Sequence, residues 1–291
     1  MFKKVTACVL LIAATACGVR AQSTGPINFT IRHLPQTSYE VYSNSQTSTS
    51  ITLVGVTPAA KKNLLAKGVS KPIINVQKKE MQTKTVIGKS GADNEAPVSY
   101  IIETIKNTKI ADDGETESIN PLQSTVFQGK CTAAGKLQLD SMINQNYTAV
   151  DKKAIVNSVN ALLNQVQYPA KIMRPGDSFT QDMTINMPLG TNQMKILVKA
   201  TYTLQKHVDS LAYIDIKQVL SFNFNIGKDQ KVQAEGGGTG RMVYNINNQY
   251  AELSETDLSI NMATVMNDTR TTINVKINNA INTKVHRQTS K

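Results

Sequence analysis

From Met194 to Ile226 most of the apolar residues fall on even numbers. Met194, Ile196, Val198, Ala200, Tyr202 and Leu204 are interleaved with Lys195, Lys199, Thr201 and Thr203. After Val208-Asp-Ser210 the evens resume at Ala212, Ile214 and Ile216 and run on through Leu220, Phe222, Phe224 and Ile226. Successive side chains of a strand point to opposite faces, so period two over such a run requires two long strands, each with one apolar face. Asp209 and Ser210 supply turn chemistry between them, and the pair reads as an antiparallel hairpin.

The same pattern spreads in both directions. Phe179, Met183, Ile185 and Met187 form a preceding strand closed by Pro188-Leu-Gly190. Met242, Tyr244 and Ile246 follow, then Leu258, Ile260 and Met262, then Ile273, Val275 and Ile277. Gly227-Lys-Asp229, Asn247-Asn248 and Met266-Asn-Asp268 punctuate these runs with turn residues. The C-terminal half is therefore expected to be a meander of about six strands. The N-terminal half shows shorter alternations at Ile27, Phe29 and Ile31, at Tyr39 and Val41, at Ile51 and Leu53, and at Val98, Tyr100 and Ile102. Val126, Gly129 and residues 136–139 suggest a further hairpin, and residues 111–117 a polar loop.

Helical period occurs twice. Ile155, Val159, Leu162, Leu163 and Val166 make one stripe over about 149–167, with Thr148 as cap and Pro169 beyond the end. A shorter helix over about 57–67 opens at Thr57-Pro58, turns Leu64 and Leu65 inward and stops at Gly68. No Pro/Gly/Ser-rich linker divides the chain. The expected fold class is mainly β (α+β): one large curved antiparallel sheet, a half-barrel meander, with both helices packed on it.

Compartment is read from the first residues. Lys3 and Lys4, the apolar run over residues 5–16 and Gly18-Val-Arg-Ala21 describe a secretory signal peptide over 1–21, leaving 22–291 as a single β-rich domain. The apolar run falls short of the roughly 20 residues that span a bilayer, so no transmembrane helix is expected in the mature chain. Ala14-Thr-Ala-Cys17 offers a rival processing site, in which Cys17 carries a lipid and tethers the protein to the outer membrane. Either route places the protein in the periplasm or outside the cell.

Of the 32 Lys and Arg, three (Lys3, Lys4 and Arg20) lie in the leader, so against 21 Asp and Glu the mature charge is about +8. The lysines are scattered, without arginine runs or interleaved aromatics, which speaks against nucleic acid; the charge is expected to keep a β-rich surface soluble, near an anionic membrane. Cys8 and Cys17 lie in the leader, and Cys131 alone cannot make an internal disulfide.

The chain offers few catalytic constellations. His207-Val-Asp-Ser210 has the residue types of a hydrolase triad but lacks a nucleophile elbow, and reads as a turn. Cys131 reads as a small apolar residue beside a strand. Asp112, Asp113, Glu115 and Glu117 lack the spacing of a calcium loop, and no His or Cys pair has zinc spacing. No metal, no cofactor and no enzymatic activity are expected. Gly236, Gly237, Gly238 and Gly240 precede Arg241-Met-Val-Tyr-Asn-Ile246, which alternates like a strand. A phosphate loop needs a helix there, so these glycines read as a bend, a bulge or a close backbone approach in a curved sheet.

The methionine-rich strand faces point to binding. Burial of an apolar or amphipathic ligand, a lipid or acyl chain, is expected against Met183, Ile185, Met187, Ile196, Val198, Ile214 and Phe222, with lysines at the rim meeting anionic groups. The alternative is a structural or protein-interaction module of the cell envelope without a small ligand, using exposed strand edges.

Residues 168–291 resemble uncharacterised exported β-rich proteins of Bacteroidetes-type bacteria. The likeness rests on Tyr168-Pro-Ala-Lys-Ile-Met-Arg-Pro-Gly-Asp-Ser-Phe179, on the later Gly-Thr-Gly strand start, and on a Lys-Lys leader ending in Ala-Gln. It implies a compartment rather than a chemistry. The expected architecture is also similar to half-barrel lipid-binding lipoproteins of the periplasm, a likeness of fold alone.

Overall fold

A computed structural model describes residues 25–288, except 70, 112–113, 165–167, 190–191, 225–231 and 267. The expected leader over 1–21, Cys17, Asp112, Asp113 and the expected turn at Gly227-Lys-Asp229 lie outside the described residues.

The elements run β1 (Ile27–Phe29), β2 (Thr37–Gly55), α1 (Pro58–Ala66), β3 (Ile73–Ile87), β4 (Ala96–Ala111), β5 (Gly114–Ile119), β6 (Thr125–Cys131), β7 (Leu137–Ile143), α2 (Ala149–Leu163), β8 (Lys171–Met173), β9 (Ser178–Leu189), β10 (Asn192–Val208), β11 (Leu211–Phe224), β12 (Val232–Asn245), β13 (Tyr250–Met266) and β14 (Thr269–Arg287). Twelve strands form one sheet in the order β7-β6-β4-β3-β2-β14-β13-β12-β11-β10-β9, with β5 pairing β4. Every pairing is antiparallel. The path ends at β7 and β9, so the sheet is curved but not closed into a barrel.

The six-strand C-terminal meander is β9–β14. It joins an N-terminal meander through the β2–β14 ladder, which runs from Thr37↔Arg287 to Gly55↔Thr269. β2 is one strand, although only its ends, near Tyr39 and Ile51, show an apolar alternation. Its middle, Ser43-Asn-Ser-Gln-Thr-Ser-Thr-Ser50, has no apolar residue, and is held extended because β3 and β14 satisfy both edges of its backbone. The polar loop expected at 111–117 is corrected in part: Glu115, Thr116 and Glu117 belong to β5, and Glu117 pairs Lys106 at 2.6 Å.

One face of the sheet carries all the core. At the end bearing the 88–95 and 209–210 turns, Phe179, Tyr202, Leu204, Ile214, Met242 and Tyr244 pack with Phe29 and Met173. Alongside, Tyr39, Ile87, Val98, Phe127, Leu139 and Met142 pack with Val156 of α2. Residues 25–35 cross this end. Their backbone is satisfied by the sheet: Tyr244 Oη donates to Thr30 O at 2.7 Å, Leu34 N donates to Tyr39 Oη at 2.7 Å, and His33 N donates to Gly135 O at 3.1 Å. A segment laid over a core without such partners would leave buried amides unpaired, at about 1–3 kcal/mol each.

Both helices form where expected, with Thr57 and Thr148 accepting from Ala60 N and Asp151 N as caps. α2 ends at Leu163 with Asn164 as its C-cap, short of the expected 167. It lays Ile155, Val156, Val159 and Leu163 on the β6–β7 side of the core. α1 corrects an expectation: Leu65 is 65 % exposed, and the helix buries no residue. It sits at the β2–β3 connection, where Gly55 lets its backbone approach at Lys61.

Gly236, Gly237, Gly238 and Gly240 lie inside β12 with continuous register to both neighbours, so they are not a bulge; the shift comes later, at Val243/Tyr244. Close approach is their role. A Cβ on Gly238 or Gly240 would run into the carbonyl oxygens of Asp257 or Glu255 on β13. A Cβ on Gly236 would meet Phe222 Cζ at 3.2 Å, because that ring covers the bare backbone. The glycines thus let β11, β12 and β13 coil tightly.

Candidate functional site

The register sorts side chains on the core-bearing face into rungs. One rung reads Met183, Val198, Leu220, Gly236, Ile260, Val275, Thr49 and Asn75 from β9 to β3. Its neighbour reads Leu258, Ile277, Thr47, Gln77, Lys109 and Thr116 from β13 to β5. Both change character at the same place. From β9 to β14 the first rung is aliphatic apart from Gly236, while the second carries Gln181, Ala200, Gln218 and Gly238 before it reaches Leu258 and Ile277; from β2 to β5 the rungs carry hydroxyls, amides and a lysine. The changeover lies on the β14–β2 seam.

On the apolar side Ile196, Val198, Leu220 and Ile260 form a buried cluster, with Met183, Phe222, Leu258, Met262 and Val275 half-buried around it. Here the predicted ligand-contacting residues separate. Ile196 at 1 % and Val198 at 3 % exposure are a floor already covered by protein, while Met183 and Phe222 keep accessible surface. Ile214, at 1 %, belongs instead to the larger core at the turn end. Ile185 and Met187 stand on β9 opposite Ile196 and Met194, and their side chains lie outside the described residues. Sequence reasoning missed Leu258, Met262 and Val275 as members, although their alternation was visible.

On the polar side a trough of about 610 Å³ is lined by Ser45, Thr47, Gln77, Lys79, Asn107, Lys109, Thr116 and Ser118, among others. No motif announced it, because neighbouring strands contribute one or two residues each.

The opposite face of the sheet is charged. Asp215, Arg241, Glu255, Ala280, Asn44, Glu80 and Lys106 form one continuous rung there, and Arg241 pairs Glu255. A barrel wall in contact with lipid tails needs an apolar band on its outer side, and this rung is the reverse. No helix among the described residues is long and apolar enough to cross a membrane.

The nucleophile candidates fare poorly as chemistry. His207 Nε2 donates to Gly25 O at 2.9 Å, and its Nδ1 is buried without a hydrogen-bond partner, so the ring bonds neither Asp209 nor Ser210. Asp209 adopts φ 51° in the hairpin turn. Cys131 has an unforeseen neighbour in His33, whose carbonyl lies 3.9 Å from Sγ, and both line a cavity of about 320 Å³. Burial pushes the Cys131 thiol up to about 11 and the His33 imidazole down to about 4. An activated thiolate–imidazolium pair requires the opposite shifts. Among the described residues no group of three or more His, Cys, Asp or Glu is arranged to hold a metal ion.

No family model matches the chain, and no curated protein sequence does. Among solved structures it is similar to Pseudomonas aeruginosa OccK5 (OpdH), at 6 % identity and TM-score 0.20, over 85 % of this chain and 98 % of that one. The translocator domain of autotransporter NalP from Neisseria meningitidis is 8 % identical at TM-score 0.19, over 85 % and 89 %. Pseudomonas aeruginosa OpdQ is 7 % identical at TM-score 0.19, over 86 % and 98 %. Likeness at these scores carries no argument about this chain.

Proposed function

We propose that the chain is an exported, non-enzymatic protein of the cell envelope that binds an amphipathic ligand on the core-bearing face of its curved sheet. The observation that carries this reading is the chemical changeover along the β14–β2 seam, where Val275 stands beside Thr49 and Ile277 beside Thr47. A ligand with an acyl portion and a polar portion matches both halves of that face at once. The acyl portion lies on Met183, Phe222, Leu258, Met262 and Val275, over the floor of Ile196 and Val198. The rest of the molecule lies on the hydroxyl and amide rungs. The pliable methionines suit a ligand of variable chain length. Export is supported by the leader-like pattern read in residues 1–21.

Native mass spectrometry of the protein purified from its envelope fraction tests the reading. The expected result is a bound lipid lost on replacing Met262 and Val275 with aspartate; a protein that neither retains nor takes up any lipid refutes it. A second reading is favoured by the outer edge of β9, which pairs with no strand among the described residues. In that reading the edge accepts a strand from an envelope partner. Crosslinking in cells from β9 positions separates the two, because a module yields one defined protein adduct and a carrier does not.

A further inference from the structure

We propose that the trough over β2–β5 is an oxyanion site, with Lys79 and Lys109 as its cations, that takes the phosphate or carboxylate head of the ligand. The proposal rests on the amphipathic reading above and gives the ligand a charge and an orientation.

Two rungs build the site. Ser118, Asn107, Lys79, Ser45 and Asn279 stand in line across β5, β4, β3, β2 and β14. The adjacent rung places Thr116, Lys109, Gln77 and Thr47 in line, and then Ile277. All lie on one face. Glu40 on β2 and Glu103 on β4 lie further along, near Lys84, while the carboxylates nearest the site on these strands, Glu80, Glu115 and Glu117, occupy the alternate positions and so project to the other side. There Glu117 takes up Lys106 at 2.6 Å, while Lys79 and Lys109 enter no ion pair among the described residues.

The separation of charge by face is what makes the trough selective. Two ammonium groups stand among hydroxyl and amide side chains with no competing carboxylate on their face, and such groups pair with oxyanions through charge-assisted hydrogen bonds. The volume, about 610 Å³, falls within the range of small-ligand sites. Strands lie ~4.8 Å apart, so Lys109 on β4 and Ile277 on β14 are separated by roughly 14 Å across the sheet. One lipid-sized molecule spans that interval, with its head over β3–β5 and its chain starting at the seam.

The test uses the full chain and three probes: dihexanoyl phosphatidylglycerol, dihexanoyl glycerol and glycerol 1-phosphate, with affinities read by calorimetry. The expected result is that the anionic lipid binds at least about tenfold more tightly than the neutral one. A Lys79→Ala/Lys109→Ala variant loses that preference while keeping its melting temperature and its affinity for dihexanoyl glycerol. A Lys79→Arg/Lys109→Arg variant retains the preference. Equal affinity for the two lipids, or a preference that survives the double alanine variant, overturns the proposal. Lysine-dependent binding of glycerol 1-phosphate with no binding of either lipid leaves the anion site standing and removes the amphipathic reading. Binding of none of the three removes both.

Discussion

Gly240 and His33 show how single side chains set the terms of this fold. A methyl group on Gly240 would collide with the Glu255 carbonyl oxygen, which cannot withdraw without breaking the ladder, and would stand 2.8 Å from Thr256 Cγ2. Gly237, on the other face, would meet only the Gln218 carbonyl oxygen, at 3.0 Å. Gly240→Ala is therefore expected to cost about 2–3 kcal/mol and Gly237→Ala distinctly less. Urea denaturation of the two variants checks the order, and equal losses would remove the close-approach account. His33 sits among Tyr39, Tyr250 and Gly135, and burial lowers its imidazole to about 4. The unfolded chain takes up a proton near 6.5 and the folded one does not, so stability is full above that pH and falls as pH drops from about 6.5 through about 4. The loss is on the order of 2–3 kcal/mol. Unfolding midpoints at pH 7.5 and 4.5 should differ by more in the wild type than in His33→Gln. The glycines could be read from sequence because their neighbours alternated on both sides. The approach of His33 to Cys131 could not, since 98 positions separate them and no local pattern records it.

Edge protection is the lesson at the scale of elements. β7 ends the sheet, and α2 lies on it, with the Asn160 amide closing onto a single strand residue. Leu139 N donates to Asn160 Oδ1 at 2.9 Å, and Asn160 Nδ2 donates to Leu139 O at 2.7 Å. The side chain thus imitates one rung of an absent strand and satisfies an edge that would otherwise recruit another chain. Asn160→Leu keeps the helix and the bulk but strips both bonds. It is expected to lower stability by about 2 kcal/mol and to raise the dimer fraction in size-exclusion runs, and an unchanged monomer of native stability would contradict this. The helix itself was legible from its apolar stripe and its Thr148 cap, whereas the partner of Asn160 was not, because strand edges leave no signature in composition. β2 illustrates the same limit. Its polar middle was silent in sequence because its conformation comes from β3 and β14, not from its own propensities.

At the scale of the molecule, the β2–β14 ladder makes the two meanders one sheet. Thr37 pairs with Arg287, so the longest pairing joins nearly the two ends of the described chain. Loop closure over that distance must precede the contacts that reward it, which places folding in the slow range of non-local β proteins, ms to s or longer. It also means that β14 covers two edges at once, those of β2 and β13. A chain truncated after Met266 would leave one long edge of each unpaired, with Ile51 and Ile260 losing cross-strand neighbours at Ile273 and Val275. The seam that carries the proposed ligand face would vanish with them. Such a truncation is expected to aggregate rather than leave a folded N-terminal half. In the intact protein, amides along β2 and β14 should exchange only through global unfolding. Hydrogen exchange read by mass spectrometry on peptides from 37–55 and 269–287 checks the point. Fast exchange in those peptides, with slow exchange around Tyr244 and Phe127, would mean that each meander is stable on its own core and that the seam is a weak joint between them.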